Sequence, residues 1–361
     1  MLSLSYVGNQ GHKLISLVEA NPGNPNLCLQ LIAANAQTTS GQQCGGFGEG
    51  QQYVLPPGAP FPSAATPNVE TTGPCNVGGG TCNIVNTTYT VLGPNFADIP
   101  YEATIAQSSY NSFQAELKHT SGLSTFLLGY TYSKCMDNAS GFQEGINPFD
   151  SRRSIGLCIF NVTNNFVASY DTQVPFDRIF HVTSYWGKLI AAGWGVSGIT
   201  TFASGLPVTL SESDDNSFTG TQGGEAQIDL PDYNGGPLSI HKNPRNGQPY
   251  FNNIVNDPGA TPPVTGGVFS LEALGTIGSA RRRFFSGPGL NNWDMALLKD
   301  CKFTETKTLQ IRFEAFNIFN HAQFSANNSS GFGVVGSSGF GVISSTYGQP
   351  RVLQAGLKFL F

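Results

Sequence analysis

Arg351-Val-Leu-Gln-Ala-Gly-Leu-Lys-Phe-Leu-Phe361 closes the chain, and its alternation decides the fold. Counting back in twos from the final aromatic gives Phe361, Phe359, Leu357, Ala355 and Leu353; the other set holds Lys358, Gly356 and Gln354. Side chains on a strand alternate faces, so this strand is apolar on one face and polar or small on the other. A strand of that kind, ending on an aromatic, fits the last strand of a β-barrel in an outer membrane. An edge strand of a soluble sandwich alternates in the same way.

Composition favours the barrel. Only 11% of residues are charged, against about 25% in an ordinary soluble domain. Glycine accounts for 44 of 361 residues and aromatics for 11%. No stretch approaches about 18 unbroken apolar residues, so no helix is expected to span a bilayer. Such a chain suits strands that show half their residues to lipid and half to water, and also a secreted glycine-rich β-protein. The mild net charge of −5 argues against nucleic acid as a partner. The opening Met1-Leu-Ser-Leu-Ser-Tyr-Val7 is already strand-like and carries no leader features. An exported protein needs a leader, so either the protein is cytosolic or its natural N-terminus lies upstream, and the second is expected.

Further segments alternate. In 110–118, Phe113, Ala115 and Leu117 oppose Gln114, Glu116 and Lys118. In 123–133, Phe126, Leu128, Tyr130 and Tyr132 oppose Thr125, Thr131 and Ser133. In 291–299, Trp293, Met295 and Leu297 oppose Asn292 and Asp294. In 307–318, Leu309, Ile311, Phe313 and Ala315 oppose Gln310, Arg312 and Glu314. Weaker strands fall at 1–8, 163–172 and 193–204. A Lys or Arg on the lipid face at midplane costs about 2–4 kcal/mol, so every charge of the clean strands is expected on the other face.

The reading is an all-β, antiparallel transmembrane barrel segment of about eight strands, within a range of about 8–12. Connections 119–122 and 300–306 are short, 173–192 is intermediate and partly helical, and 9–109, 134–162, 205–290 and 319–350 are long. Barrels of this class pair short periplasmic turns with long extracellular loops. A periplasmic C-terminus then places all four long connections outside. The near-repeat Gly331-Phe-Gly-Val-Val-Gly-Ser-Ser and Gly339-Phe-Gly-Val-Ile-Ser-Ser-Thr is expected to form a small external hairpin.

The seven cysteines sort by loop. Nearest-neighbour pairing gives Cys28–Cys44, Cys75–Cys82 and Cys135–Cys158, with Cys301 unpaired. Such bonds persist at a cell surface and would staple loops expected to have no core of their own. Spacing alone leaves connectivity open, and seven reduced thiols in a cytosolic protein is the alternative.

No catalytic constellation emerges, and the expectation is no enzyme, no cofactor and no metal. His12, His119, His181, His241 and His321 are dispersed. Cys75 and Cys82 lack a second half for zinc. Gly45-Gly-Phe-Gly-Glu-Gly50 lacks the Lys-Ser/Thr of a phosphate loop. Glu212 with Asp214-Asp215 reads as a solvated acidic tip rather than a Ca²⁺ site. Arg281-Arg-Arg283 reads as a solvated basic rim, with a lipopolysaccharide or anionic-ligand contact as the alternative.

Longer motifs are more specific. They are Tyr110-Asn-Ser-Phe-Gln-Ala-Glu-Leu-Lys118, Leu128-Gly-Tyr-Thr-Tyr-Ser-Lys-Cys-Met-Asp-Asn138 and Gly193-Trp-Gly-Val-Ser-Gly-Ile-Thr-Thr-Phe-Ala-Ser-Gly-Leu-Pro207, followed by Gly287-Pro-Gly-Leu-Asn-Asn-Trp-Asp-Met-Ala-Leu-Leu-Lys299 and Leu309-Gln-Ile-Arg-Phe-Glu-Ala-Phe-Asn-Ile-Phe-Asn-His321. With the terminal strand, they resemble the C-terminal barrel of TonB-dependent receptors, in the Oar-like group with a carboxypeptidase-regulatory-type N-terminal domain.

That resemblance, over roughly 105–361, implies a barrel of about 22 strands with a plugged lumen, energised through an N-terminal plug and TonB. About eight strands cannot enclose a plug. Residues 1–361 are therefore expected to be the C-terminal portion of an energy-coupled outer-membrane transporter, lacking its plug domain and not transport-competent alone. An autonomous small outer-membrane barrel with a structural or adhesive surface role is the alternative. Lumen-facing candidates are Glu116, Lys118, Asp294, Arg312, Glu314 and Lys358. Leu357, Phe359 and Phe361 resemble the signal read by the barrel-assembly machinery. Outer-membrane lipid and lipopolysaccharide of a Gram-negative cell are the expected surroundings.

Overall fold

The computed structural model describes residues 1–38, 44–45, 48–56, 59, 69–74, 81–93, 95–141, 144–220, 229–241, 244 and 247–361. Eight strands form one antiparallel wall in chain order. They are β1 (Leu2–Glu19), β2 (Pro100–Ser121), β3 (Ser124–Asp137), β4 (Asn164–Val174), β5 (Trp194–Ala203), β6 (Leu290–Lys302), β7 (Thr308–Phe316) and β8 (Val352–Leu360). A two-residue strand, Gly156–Leu157, adds to the upper end of β3.

Register carries one apolar face across the whole wall, because directly opposed residues share a face. One such row runs Leu4, Ala115, Tyr130 and Phe166, and continues through Phe202. Another joins Val196, Leu297, Phe313 and Ala355. Each strand alternates locally, and pairing brings eight local patterns into a single surface. Lys299 is an exception to the expected charge segregation. It shares the face of Leu297, but its ammonium donates to the Ala192 and Asp300 carbonyls and lies over the Trp194 ring. A long cationic side chain can satisfy itself at a strand end in this way.

Every strand read from the sequence is present, and several are longer, β1 and β2 most of all. β1 and β2 continue pairing up to Glu19 with Pro100, so the first long connection is 20–99 rather than 9–109. Register shifts between Gly11 and Ser16 interrupt the alternation there and conceal the extension from a pattern count. The other long connections are 138–163, 204–289 and 317–351, and all four leave the same end of the wall. The opposite end holds 122–123, 303–307 and the intermediate 175–193, which carries α2 (Phe176–Ile179) and α3 (Tyr185–Ala191). β1 pairs with β2 and β8 with β7, and the described strands do not close into a ring.

The long connections are not coreless, which corrects the sequence expectation. In 204–289 and 317–351, Val208, Leu210, Phe269, Phe285 and Phe332 pack around fully buried Phe251. Its ring centroid lies 5.2–5.9 Å from those of Phe340, Phe285, Phe332 and Phe269. The near-repeat supplies Phe332 and Phe340 to this core rather than forming a free hairpin, and Val334–Val335 pairs in parallel with Ser211–Glu212. Gly333 is required by contact: a Cβ there would stand 2.0 Å from the Thr209 carbonyl oxygen.

A second core lies in 20–99 around α1 (Pro25–Ala33). Asn24 caps α1 by accepting from the Leu27 amide at 3.2 Å, and Pro25 opens the first turn, where its missing N–H costs nothing. Leu27, Cys28 and Leu31 face Tyr53, Leu55, Val85 and Phe218, so a side chain from 204–289 completes the packing.

Candidate functional site: the polar wall and its cap

The face opposite the apolar one carries all six lumen-facing candidates. Glu314 opposes Gln354 and Ala296, Arg312 opposes Gly356 and Leu298, and Asp294 opposes Ile199. The register brings Asp294, Arg312 and Glu314 together, with Thr125, Ser169 and Ser197, around a hollow of about 400 Å³. Asp171 joins them through its pairing with Thr125 and Ser197, and sequence reasoning missed it. Its signal was present, since Asp171 alternates with Tyr170 on a strand read as weak. Glu116, Lys118 and Lys358 stand apart from this hollow on the same face.

Within the hollow, Arg312 donates to Glu314 at 2.5 Å, with the arginine side chain 48% exposed. An exposed pair of this type contributes at most about 1 kcal/mol. Asp294 is tied to structure. It accepts from the Asn317 amide at 2.8 Å and from Asn292 at 3.0 Å, and so holds the turn that leaves β7. The polar face therefore offers hydrogen-bonding groups of both charges.

Above the wall, Arg282 and Arg283 are buried, which corrects the expectation of a solvated basic rim. Arg282 reaches Asp137 at 2.6 Å and Glu144 at 2.5 Å, and Arg283 reaches the other Glu144 oxygen at 2.5 Å. Arg283 also donates to Thr209 and Ser140. Burial acts to raise the Glu144 carboxyl, but the two guanidiniums outweigh it and hold Glu144 below the ordinary carboxylate range. Burial, reinforced by Arg282, lowers Arg283. This network bolts 138–163 to 204–289.

The acidic tip is also corrected: Glu212 and Asp215 are buried, while Asp214 is exposed. Burial, then the neighbouring Asp215 charge, pushes Glu49 up to about 8 and Asp229 up to about 6. Burial and contact with Glu212 push Glu272 up to about 10. Asp215 accepts from Ser217 and from the Thr219 and Gly220 amides at 2.9–3.1 Å. These groups are carboxyls sealed inside the cap.

Cys28–Cys44 and Cys135–Cys158 are bonded, and Cys301 is free. The Cys75–Cys82 expectation lies outside the described residues, as does part of the Gly45–Gly50 segment. Leu357, Phe359 and Phe361 are all exposed, and Phe359 stacks on Phe361 with centroids 6.2 Å apart.

A wall with one continuous apolar face and one polar face, crowned by stapled loops, defines a membrane-spanning β-barrel domain. Residues 1–354 match the family described as Outer membrane beta barrel domain, and the chain belongs to that family. It is an outer-membrane protein, and the family points to a non-enzymatic role. Among solved structures, the chain is similar to the outer membrane transporter YddB from Escherichia coli. The identity is 10% and the TM-score 0.38, over 99% of this chain and 30% of that one. The chain thus spans less than a third of that transporter. No curated protein matches the sequence.

Proposed function

We propose that this chain is the C-terminal wall segment of an Oar-like, TonB-dependent outer-membrane receptor, with its four long connections on the cell exterior. The observation that carries the reading is the open eight-strand wall, polar on one face, whose outer strands β1 and β8 have no partner on their far edges among the described residues. Unpaired edges expose rows of N–H and C=O groups, which hydrocarbon does not tolerate; further strands of a larger receptor would satisfy them. The quoted motifs of β2, β3 and β5–β8 support the subtype. In this reading the polar face lines the lumen beside a plug domain, TonB supplies the energy, and the cap selects the ligand. The barrel-assembly machinery reads the C-terminal Leu357, Phe359 and Phe361.

Closure is the test. Cysteine pairs scanned between 2–7 and 353–359, in a Cys301→Ser background in outer membranes, should not cross-link. Ready cross-linking would join β1 to β8, make the chain an autonomous small barrel, and end the wall-segment reading.

A further inference from the structure

A cleft of about 740 Å³ opens beside the upper end of β3, and its charge is one-sided. Among the described residues, Lys134, Arg152, Arg153 and Arg281 line it, and no Asp or Glu does. Arg153 is held by the Ile277 and Gly278 carbonyls. Lys134, Arg152 and Arg281 are exposed and form no ion pair among the described residues. Arg282 and Arg283 also border the cleft, but Asp137 and Glu144 neutralise them. Unpaired positive charge is thus gathered at one place on a chain whose net charge is −5.

The β3 residues that line the cleft lie on the apolar side of the wall. The register of β3 is unbroken, so Lys134 and Met136 share the face of Phe126, Leu128, Tyr130 and Tyr132. The alternate residues Ser133, Cys135 and Asp137 are buried on the other side. One step below Lys134, the row Tyr6–Phe113–Tyr132 presents three exposed aromatic rings. Aromatic girdles of this kind mark the level where hydrocarbon gives way to headgroups. Two residues along a strand is about 7 Å, so Lys134 stands at headgroup height, directly above the lipid-facing surface.

We infer that this cleft binds the phosphorylated headgroup of an outer-leaflet glycolipid: its acyl chains lie against the apolar wall, and its phosphates meet Lys134, Arg152 and Arg281. Guanidinium and ammonium groups recognise phosphate through short, charge-assisted hydrogen bonds. Met136, Ile155, Leu157 and Phe284 give the cleft an apolar floor that suits a sugar-and-chain junction better than a free anion. The inference rests on the exterior placement of the long connections. The closure test above reads β1–β8 contact alone, so its failure is separable from failure here.

The test uses the full chain extracted from outer membranes in mild detergent, with bound lipid read by native mass spectrometry. Bisphosphorylated lipid A should remain bound to the wild-type chain. Lipid A stripped of both phosphates should be retained at least tenfold less; equal retention would overturn the proposal, and this arm needs no variant. Lys134→Gln/Arg152→Gln/Arg281→Gln should lose phosphorylated lipid A to a similar extent. Arg178→Gln/Lys188→Gln/Lys302→Gln, at the opposite end of the wall, should retain it. A cleft variant that keeps wild-type retention overturns the site. If inorganic pyrophosphate binds as tightly as lipid A, the cleft serves a free anion and the lipid assignment fails.

Discussion

The Arg282 guanidinium lies 2.6 Å from Asp137, both side chains are almost sealed from water, and 145 residues separate them in the chain. One end of the pair is the last residue of β3 and the other lies in the third long connection. Removing one partner of a buried pair strands the other charge and costs about 3–5 kcal/mol. Arg282→Ala should therefore loosen the cap while the wall persists. Chemical denaturation followed by tryptic digestion should show 138–163 and 204–289 released before the strands. Coincident loss of cap and wall would show that the two are not separable.

The two faces of the wall should respond differently to the same charge. Leu357→Lys places an ammonium on the apolar face and should cost about 2–4 kcal/mol near midplane. Gln354→Lys, on the polar face of the same strand, should cost little. Folding titrations in lipid vesicles distinguish them, and equal costs would refute the assignment of faces.

Phe251 is the hub of the larger cap core, with four phenylalanine rings around it. Phe251→Ala should destabilise the cap by about 3–5 kcal/mol. Near-ultraviolet dichroism should lose intensity while strand content stays constant.

Acidity should tighten the same cap. A carboxyl whose folded pKa lies above its unfolded value stabilises at low pH, and that contribution is lost as pH rises through the folded value. Asp229 moves from 3.8 to about 6 and Glu49 from 4.5 to about 8, so their contributions fade between roughly pH 4 and 8. Glu144 is shifted the other way, and its contribution disappears only when pH falls below the ordinary carboxylate range. Hydrogen exchange in 204–289 should therefore be slower at pH 5 than at pH 8.5, after correction for intrinsic rates. Asp229→Asn should flatten the change between pH 4 and 6, and a flat wild-type profile would contradict the assignment.

Reduction should act locally. Cys135–Cys158 closes 23 residues and Cys28–Cys44 closes 16, each worth about 3 kcal/mol of loop entropy. Cys135→Ser/Cys158→Ser should speed proteolysis within 138–163 and leave 317–351 unchanged. Mapping the early cleavage sites decides the point.

All eight wall strands and both described disulfides could be read from residue order, because strand alternation is local and a short cysteine spacing limits the choice of partner. Phe313 and Leu357 declare their face within a few residues. The sequence also separated short connections from long ones. Tertiary structure alone decided what the long connections do. Arg281–Arg283 reads as a solvent-facing run until Asp137 and Glu144 arrive from a distant segment to bury two of the three. Phe332 and Phe340 read as a repeat in a loop until Phe251 supplies their core. The pairing of β1 with β2 above residue 9 was hidden for a related reason: away from lipid, neither face need be apolar, so backbone hydrogen bonds continue without a pattern to announce them. Local periodicity records which solvent a strand meets. Contacts between segments a hundred residues apart depend on where the chain returns, and no local pattern encodes that.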